Sequence, residues 1–169
     1  IARSPQRKLR RIHLRWLDRV SPHARYMGDE WERSYGDMEW RGLVPDRCMP
    51  WYFHQFDGER THCYGVKTQP AAMSWWNVDN DGISLWLDIR CGGEGVALGD
   101  RELRVATVIA REGREGESPF AAAKAFARML CDKPRLAPHP LYGHNSYYYT
   151  HAQISPDTEI SGAARVAEL

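Results

Sequence analysis

The first two-thirds of the chain alternates apolar and polar residues. In RRIHLRWL, every second residue from Ile12 to Trp16 is apolar, and basic residues stand between them. In ISLWLDIR, the apolar positions run from Ile83 to Ile89, with Ser, Trp, Asp and Arg on the other face. A period of two indicates strands with one face towards a core.

Turn residues separate these strands. DGER lies between residues 47–56 and 61–68, and DNDG lies between 71–78 and 83–90, so each pair is predicted to form a hairpin. A further strand is predicted at ELRVATVIAR, residues 102–111. A strand about every ten residues is typical of an antiparallel β-sandwich, which we predict over residues 1–117.

The pattern changes at Ser118. A helix is predicted over 119–131, with Ser118 as its N-cap and Pro119 at its first position. The proline-rich stretch CDKPRLAPHP follows and predicts a stiff, extended connection. Residues 118–139 are therefore interpreted as a helix and linker.

A second pattern of strand and helix occupies residues 140–169. PLYGHNSYYY predicts a strand, with Asn145 and Tyr147 on one face and Tyr142, His144 and Tyr148 on the other. A helix is predicted after Ser155. One strand and one helix cannot bury their faces alone, so this segment is interpreted as the truncated start of a (β/α)8 barrel.

Composition restricts the classes of partner. The net charge is +1, and no apolar run reaches the length of a membrane span, so neither nucleic acid nor a membrane is expected as a partner. The arginines near residue 12 are interpreted as a solvated strand face. The four cysteines have no zinc-like spacing and are expected to be free thiols of a cytoplasmic protein.

Candidate chemistry is sparse. No GxSxG motif is present, GGEG at 92–95 precedes no helix, and the histidines are too irregular for a metal site. No cofactor and no metal are expected.

Asp37 and Glu39 would lie about 7 Å apart on a strand, a separation found in glycosidases, but an exposed acidic segment is favoured. No catalytic residue is assigned. The 7 Trp and 8 Tyr suit both a sandwich core and sugar stacking.

PLYGHNSYYY resembles the start of the catalytic barrel in melibiase-type α-galactosidases, with tyrosine where that family usually has tryptophan. GDEWERSYGDMEWRGLVPDRCMPWYF, YGVKTQPAAMSWW and LWLDIRCGGEGVALGDREL resemble the supersandwich-like β domain that precedes the barrel in a bacterial branch. The resemblance covers nearly the whole chain. It implies the N-terminal part of a retaining glycoside hydrolase acting on α-linked galactosides or similar sugars.

The resemblance also implies site residues. Asn145 and Tyr147 would border the sugar subsite, and Asp29, Trp31 and Arg33 match a sandwich loop that reaches over the pocket. The family's two catalytic aspartates lie on later barrel strands, so this chain alone is expected to be inactive. The implied partners are a carbohydrate and the rest of the barrel; a homo-oligomer stays open. The alternative is a non-catalytic carbohydrate-binding or structural sandwich module.

Overall fold

The structure is a computed structural model that describes residues 1–32, 38–90, 92–140, 143 and 145–168, without the side chain of Tyr149. The chain divides into two compact units, Ile1–Asp132 and Lys133–Leu169. The first unit is mainly β, with antiparallel sheets arranged as a sandwich.

Two four-stranded antiparallel sheets make up the sandwich, and a two-stranded ribbon accompanies them. The first sheet has the order β2(Arg11–Leu17), β8(Gly82–Asp88), β7(Met73–Asp79), β4(Met49–Pro50). The second sheet has the order β10(Val108–Glu112), β6(Thr61–Val66), β5(Tyr52–Phe56), β3(Arg25–Gly28). The ribbon pairs β1(Ala2–Arg3) with β9(Glu102–Leu103).

The core lies between the two sheets. Its largest fully buried side chains are Trp76 and Phe53, whose ring centroids are 5.5 Å apart. Leu85, opposite Trp76 in the ladder, is also fully buried. Burial of each such side chain contributes about 1.5–3 kcal/mol. On the predicted core face of ISLWLDIR, Leu85 and Ile89 are buried, and Trp86 on the other face is half-buried. The pattern does not hold at the start of the strand, where Ser84 on the predicted outer face is buried.

Both predicted hairpins are present. In the β5–β6 turn, an Asp57 carboxylate oxygen accepts hydrogen bonds from the backbone N–H groups of Arg60 and Glu59, at 2.7 and 2.8 Å. These bonds, that of Arg60 foremost, hold the pKa of Asp57 at about 2. The β7–β8 turn ends at Gly82, whose φ of 141° is strained for any residue with a side chain.

Two predicted strands are each divided into two. The segment 47–56 leaves the first sheet after Pro50 and enters the second at Tyr52. The segment 102–111 pairs first with β1 and later with β6. Between those pairings, the carbonyls of Val105 and Thr107 accept hydrogen bonds from the loop N–H groups of Ala71 and Lys67, at 2.8 and 2.9 Å. Local hydrogen bonding therefore divides what the alternation presents as one strand.

The helix that follows the sandwich is shorter than predicted. Helix α1 spans Pro119–Ala127, and its N-cap is Ser118, as expected; the Ser118 Oγ accepts from the N–H of Ala121 at 3.2 Å. The helix lies on the outer face of the second sheet, where Phe126 and Ala122 pack with Cys63. It falls within the first unit, Ile1–Asp132.

The strand predicted at 140–149 is wrong for its last residues, because Tyr147–Thr150 form a short helix, α2, followed by a 3-10 turn over His151–Gln153. The Asn145 Oδ1 accepts from the Tyr147 N–H at 3.0 Å, and the Thr150 hydroxyl donates to the Ser146 carbonyl at 2.8 Å. Such side-chain–backbone bonds favour turns over strands. The predicted faces are therefore absent here, and Tyr142 and His144 lie outside the described residues.

The final predicted helix is confirmed. Helix α3 spans Pro156–Ala167, and Ser155 and Thr158 form a reciprocal capping box at its start. Its apolar Ile160 is 68% exposed. Across the described ranges, no helix is both long and apolar enough to cross a bilayer.

Candidate functional site

The candidate site lies where the chain crosses between the sheets. Trp51 joins β4 to β5 with a φ of 59°, in the left-handed region that bulky residues rarely occupy. Its N–H donates to the Ser74 carbonyl at 3.1 Å. Its carbonyl accepts from the Val66 N–H at 2.9 Å and from the Trp76 Nε1–H at 3.1 Å. These bonds hold a conformation that costs about 1–3 kcal/mol, and the indole is left 38% exposed.

A second tryptophan reaches the same corner. Trp31, in the loop after β3, is 43% exposed. Its ring meets that of Trp51 edge to face, with centroids 5.3 Å apart and an angle of 66° between the planes. The loop can approach because Gly28 has no side chain; a Cβ there would collide with the Met49 side chain. The two indoles form one partly exposed aromatic corner, which we call the Trp31–Trp51 corner.

An ion pair fixes the loop that carries Trp31. Arg47, whose side chain is 7% exposed, pairs with the Glu30 carboxylate at 3.0 Å. Its guanidinium also donates to the carbonyls of Tyr26 and Gly28, each at 3.4 Å. The Asp29 carboxylate accepts from the Glu30 N–H at 2.9 Å and is 8% exposed. The backbone of the loop is thereby held at several points beside the aromatic corner.

The predicted site residues fall in two places. Asp29 and Trp31 share the loop at the corner, while Arg33 and Asp37 lie outside the described residues. Asn145 and Tyr147 lie together in the second unit, where Tyr147 is 62% exposed and the Asn145 oxygen accepts a backbone N–H.

Sequence reasoning missed Trp51. The stretch MPWYF has no glycine that would indicate a left-handed residue, so the sequence pattern did not single out Trp51. Glu39, considered earlier with Asp37, forms a surface ion pair with Arg41 at 2.5 Å. The Glu39 side chain is 55% exposed.

The chemistry available at the corner is stacking and hydrogen bonding. Two partly exposed indoles meet there, and Asp29 and Glu30 precede Trp31 in the same loop. Among the described residues, no group of three His, Cys, Asp or Glu side chains is arranged to hold a metal ion. Cys48, Cys63 and Cys131 are free thiols, and Cys91 lies outside the described part. Burial raises the pKa of Cys63 to about 11.

Comparison with known proteins identifies no relative. No protein-family model matches the chain, and no curated protein or solved structure is significantly similar to it.

Proposed function

We propose that this chain is the N-terminal part of a retaining glycoside hydrolase that acts on α-linked galactosides or similar sugars. The sugar would meet the sandwich at the Trp31–Trp51 corner. The observation that carries the proposal is the left-handed Trp51, whose strained backbone leaves an indole partly exposed against a second indole. Strain of this kind concentrates at functional sites.

The corner has the chemistry that a pyranose ring needs. One face of a galactose ring carries C–H groups that pack on an aromatic face, and its hydroxyls require fixed polar partners. Trp31 and Trp51 supply the aromatic surface, and the carboxylates of Asp29 and Glu30 lie in the adjoining loop. Because Arg47 holds this loop, little ordering cost remains for binding.

The second unit has a separate role in the proposal. In the complete enzyme, residues 140–169 would begin the catalytic barrel, and Asn145 and Tyr147 would border the sugar subsite. The exposure of Ile160 on α3 is compatible with a helix that packs against further layers of such a barrel.

The second candidate is a carbohydrate-binding or structural sandwich module without catalytic activity. It is favoured by the hydrophobic core between the two sheets, since a domain with its own core can fold and bind by itself. The Trp31–Trp51 corner serves either function, so sugar binding alone does not distinguish the two.

The proposed binding is tested by titrating the chain with methyl α-D-galactopyranoside and following the indole N–H signals of Trp31 and Trp51 by NMR. We expect both signals to shift, and we expect Trp31→Ala to raise the Kd about tenfold, whereas Trp31→Phe keeps most of the affinity. If neither signal moves, the corner does not bind galactosides. To distinguish the two functions, a longer protein that includes this chain is assayed with an aryl α-galactoside. Turnover supports the hydrolase, and its absence supports the non-catalytic module.

A further inference from the structure

The two edges of the sandwich differ. At one edge, the chain crosses between the sheets through Trp51. At the other edge, β2 and β10 are the outermost strands of their sheets, and residues of both line a cleft of about 590 Å³. This volume falls in the range of about 300–1,000 Å³ that is usual for small-molecule sites. We call it the β2–β10 cleft.

An indole forms the apolar wall of the β2–β10 cleft. Trp16 of β2 stacks one side of its ring on the buried Trp76, with centroids 5.9 Å apart and 27° between the planes. It is still 44% exposed. Val108 of β10, on the opposite lip, is 38% exposed. The cleft therefore presents a supported aromatic surface to a ligand.

Three polar side chains that line the same cleft have unused hydrogen-bonding capacity. Within the described part of the chain, the Gln55 amide, the Tyr64 hydroxyl and the Arg19 guanidinium have no protein partner. The pKa of Tyr64 is raised, first by burial and then by the negative charge of Asp18, which places this carboxylate near the phenol. Donors and acceptors thus lie beside the apolar wall.

We propose that the β2–β10 cleft is a second ligand site, which binds a pyranose ring of a carbohydrate. The C–H face of the ring would pack on Trp16, and its hydroxyls would bond to Gln55, Tyr64 and Arg19. An entirely apolar ligand would remove these polar groups from water without replacing their hydrogen bonds, which is costly. The site lies at the opposite edge from the Trp31–Trp51 corner and does not depend on the function proposed for it.

The test uses the whole 169-residue chain and the methyl α-glycosides of galactose, glucose and mannose. The indole N–H signals of the 7 tryptophans are assigned by Trp→Phe variants, so each site reports its own titration. We expect at least one glycoside to shift the Trp16 signal. Gln55→Leu should raise the Kd read from Trp16 about tenfold, through loss of an amide bond to the sugar. Gln6 is exposed and lies outside the cleft, so Gln6→Leu should leave the Kd read from Trp16 unaltered.

Several outcomes would overturn the proposal. They are a Trp16 signal that none of the three glycosides moves, equal shifts of all indole signals, and a Gln55→Leu variant with unchanged Kd. Cyclohexanol serves as the apolar control. If it shifts the Trp16 signal as much as the glycosides do, the cleft binds apolar rings without recognising sugar hydroxyls, which also overturns the proposal. Because Trp31 and Trp51 are read separately, failure here is distinguishable from failure at the corner.

Discussion

The Nε1–H of Trp76 donates a hydrogen bond of 3.1 Å to the carbonyl oxygen of Trp51. Trp76 also stacks on Trp16 at the other edge, so one buried side chain supports both the Trp31–Trp51 corner and the β2–β10 cleft. The corner and the cleft therefore share a common support in the core.

Replacement of this support tests its role. Trp76→Phe removes the donor and leaves a cavity at a position that is 1% exposed, and we expect it to lower the free energy of unfolding by about 2–4 kcal/mol. Urea denaturation at pH 7.5 measures the loss. Trp16→Phe, on the half-exposed edge, should cost less than half as much; equal losses would contradict a special position for Trp76.

The strain at Trp51 can be isolated with a matched pair of variants. Trp51→Ala and Trp51→Gly both remove the indole, but only glycine adopts a φ of 59° without a steric cost from Cβ. We therefore expect Trp51→Gly to be more stable than Trp51→Ala by about 1 kcal/mol, although glycine is usually the less stable. Both variants should lose galactoside binding at the corner. A less stable glycine variant would show that Trp51 is unstrained.

The loop that carries Trp31 depends on a largely buried ion pair. Arg47→Met leaves the Glu30 carboxylate, 21% exposed, without its guanidinium partner, and we expect a loss of about 2–4 kcal/mol in unfolding free energy. Glu30→Gln keeps a hydrogen-bond acceptor for Arg47 and should cost about 1 kcal/mol. Thermal and urea melts measure both. If Glu30→Gln is the worse variant, then the carboxylate contributes more to the loop than the guanidinium does.

Alternation and turn chemistry predicted much of the sandwich. The strands that became β7 and β8 have strict alternation and a short Asn-Asp-Gly turn, and both signals are local. The path of the chain at Trp51 was not predictable in this way. Its left-handed backbone is held by bonds to Ser74, Val66 and Trp76, which are distant in sequence.

In the second unit, a period of two predicts a strand, but side-chain hydrogen bonds to the backbone favour a turn instead. The tyrosines at 147 and 148 have strand propensity, but the Asn145 side chain bonds the backbone two residues later and starts a turn. The β2–β10 cleft could not be predicted from the sequence either. It forms because two strands about 90 residues apart are the edge strands of facing sheets. Strand order is a long-range property that hydropathy does not encode.

Asn145 and Tyr147 remain the predicted sugar contacts of the second unit. In a full-length enzyme, Tyr147→Ala should lower kcat/KM about ten- to a hundredfold, since a stacking surface for the sugar is lost. Steady-state kinetics with an aryl α-galactoside measure this. Asn145→Asp keeps an oxygen that accepts from the Tyr147 N–H and is the matched control for a local structural role. If Asn145→Ala and Tyr147→Ala both keep wild-type kcat/KM, the segment is scaffold.

His54 makes stability depend on pH. The side chain is 3% exposed, its Nδ1 has no partner among the described residues, and its ring meets Phe126 of α1 edge to face at 5.8 Å. Burial lowers the pKa of His54 to about 4, from about 6.5. Above pH 6.5, His54 is neutral in both the folded and the unfolded state, so its ionisation does not change the free energy of unfolding. As the pH falls from 6.5 to 4, only the unfolded chain takes up the proton, so the folded state loses relative stability.

The expected loss from this one group is about 2 kcal/mol at pH 5 and about 3 kcal/mol below pH 4. His54→Leu removes the titrating group and fills a similar volume between Phe126 and the sheet. Its urea midpoint should therefore fall less than that of the wild type between pH 7.5 and pH 5, a window in which most carboxylates stay ionised. His23→Gln, an exposed histidine change, is the control. Parallel curves for His54→Leu and wild type would mean that the pKa of His54 is the same in the folded and unfolded states, so that burial does not lower it.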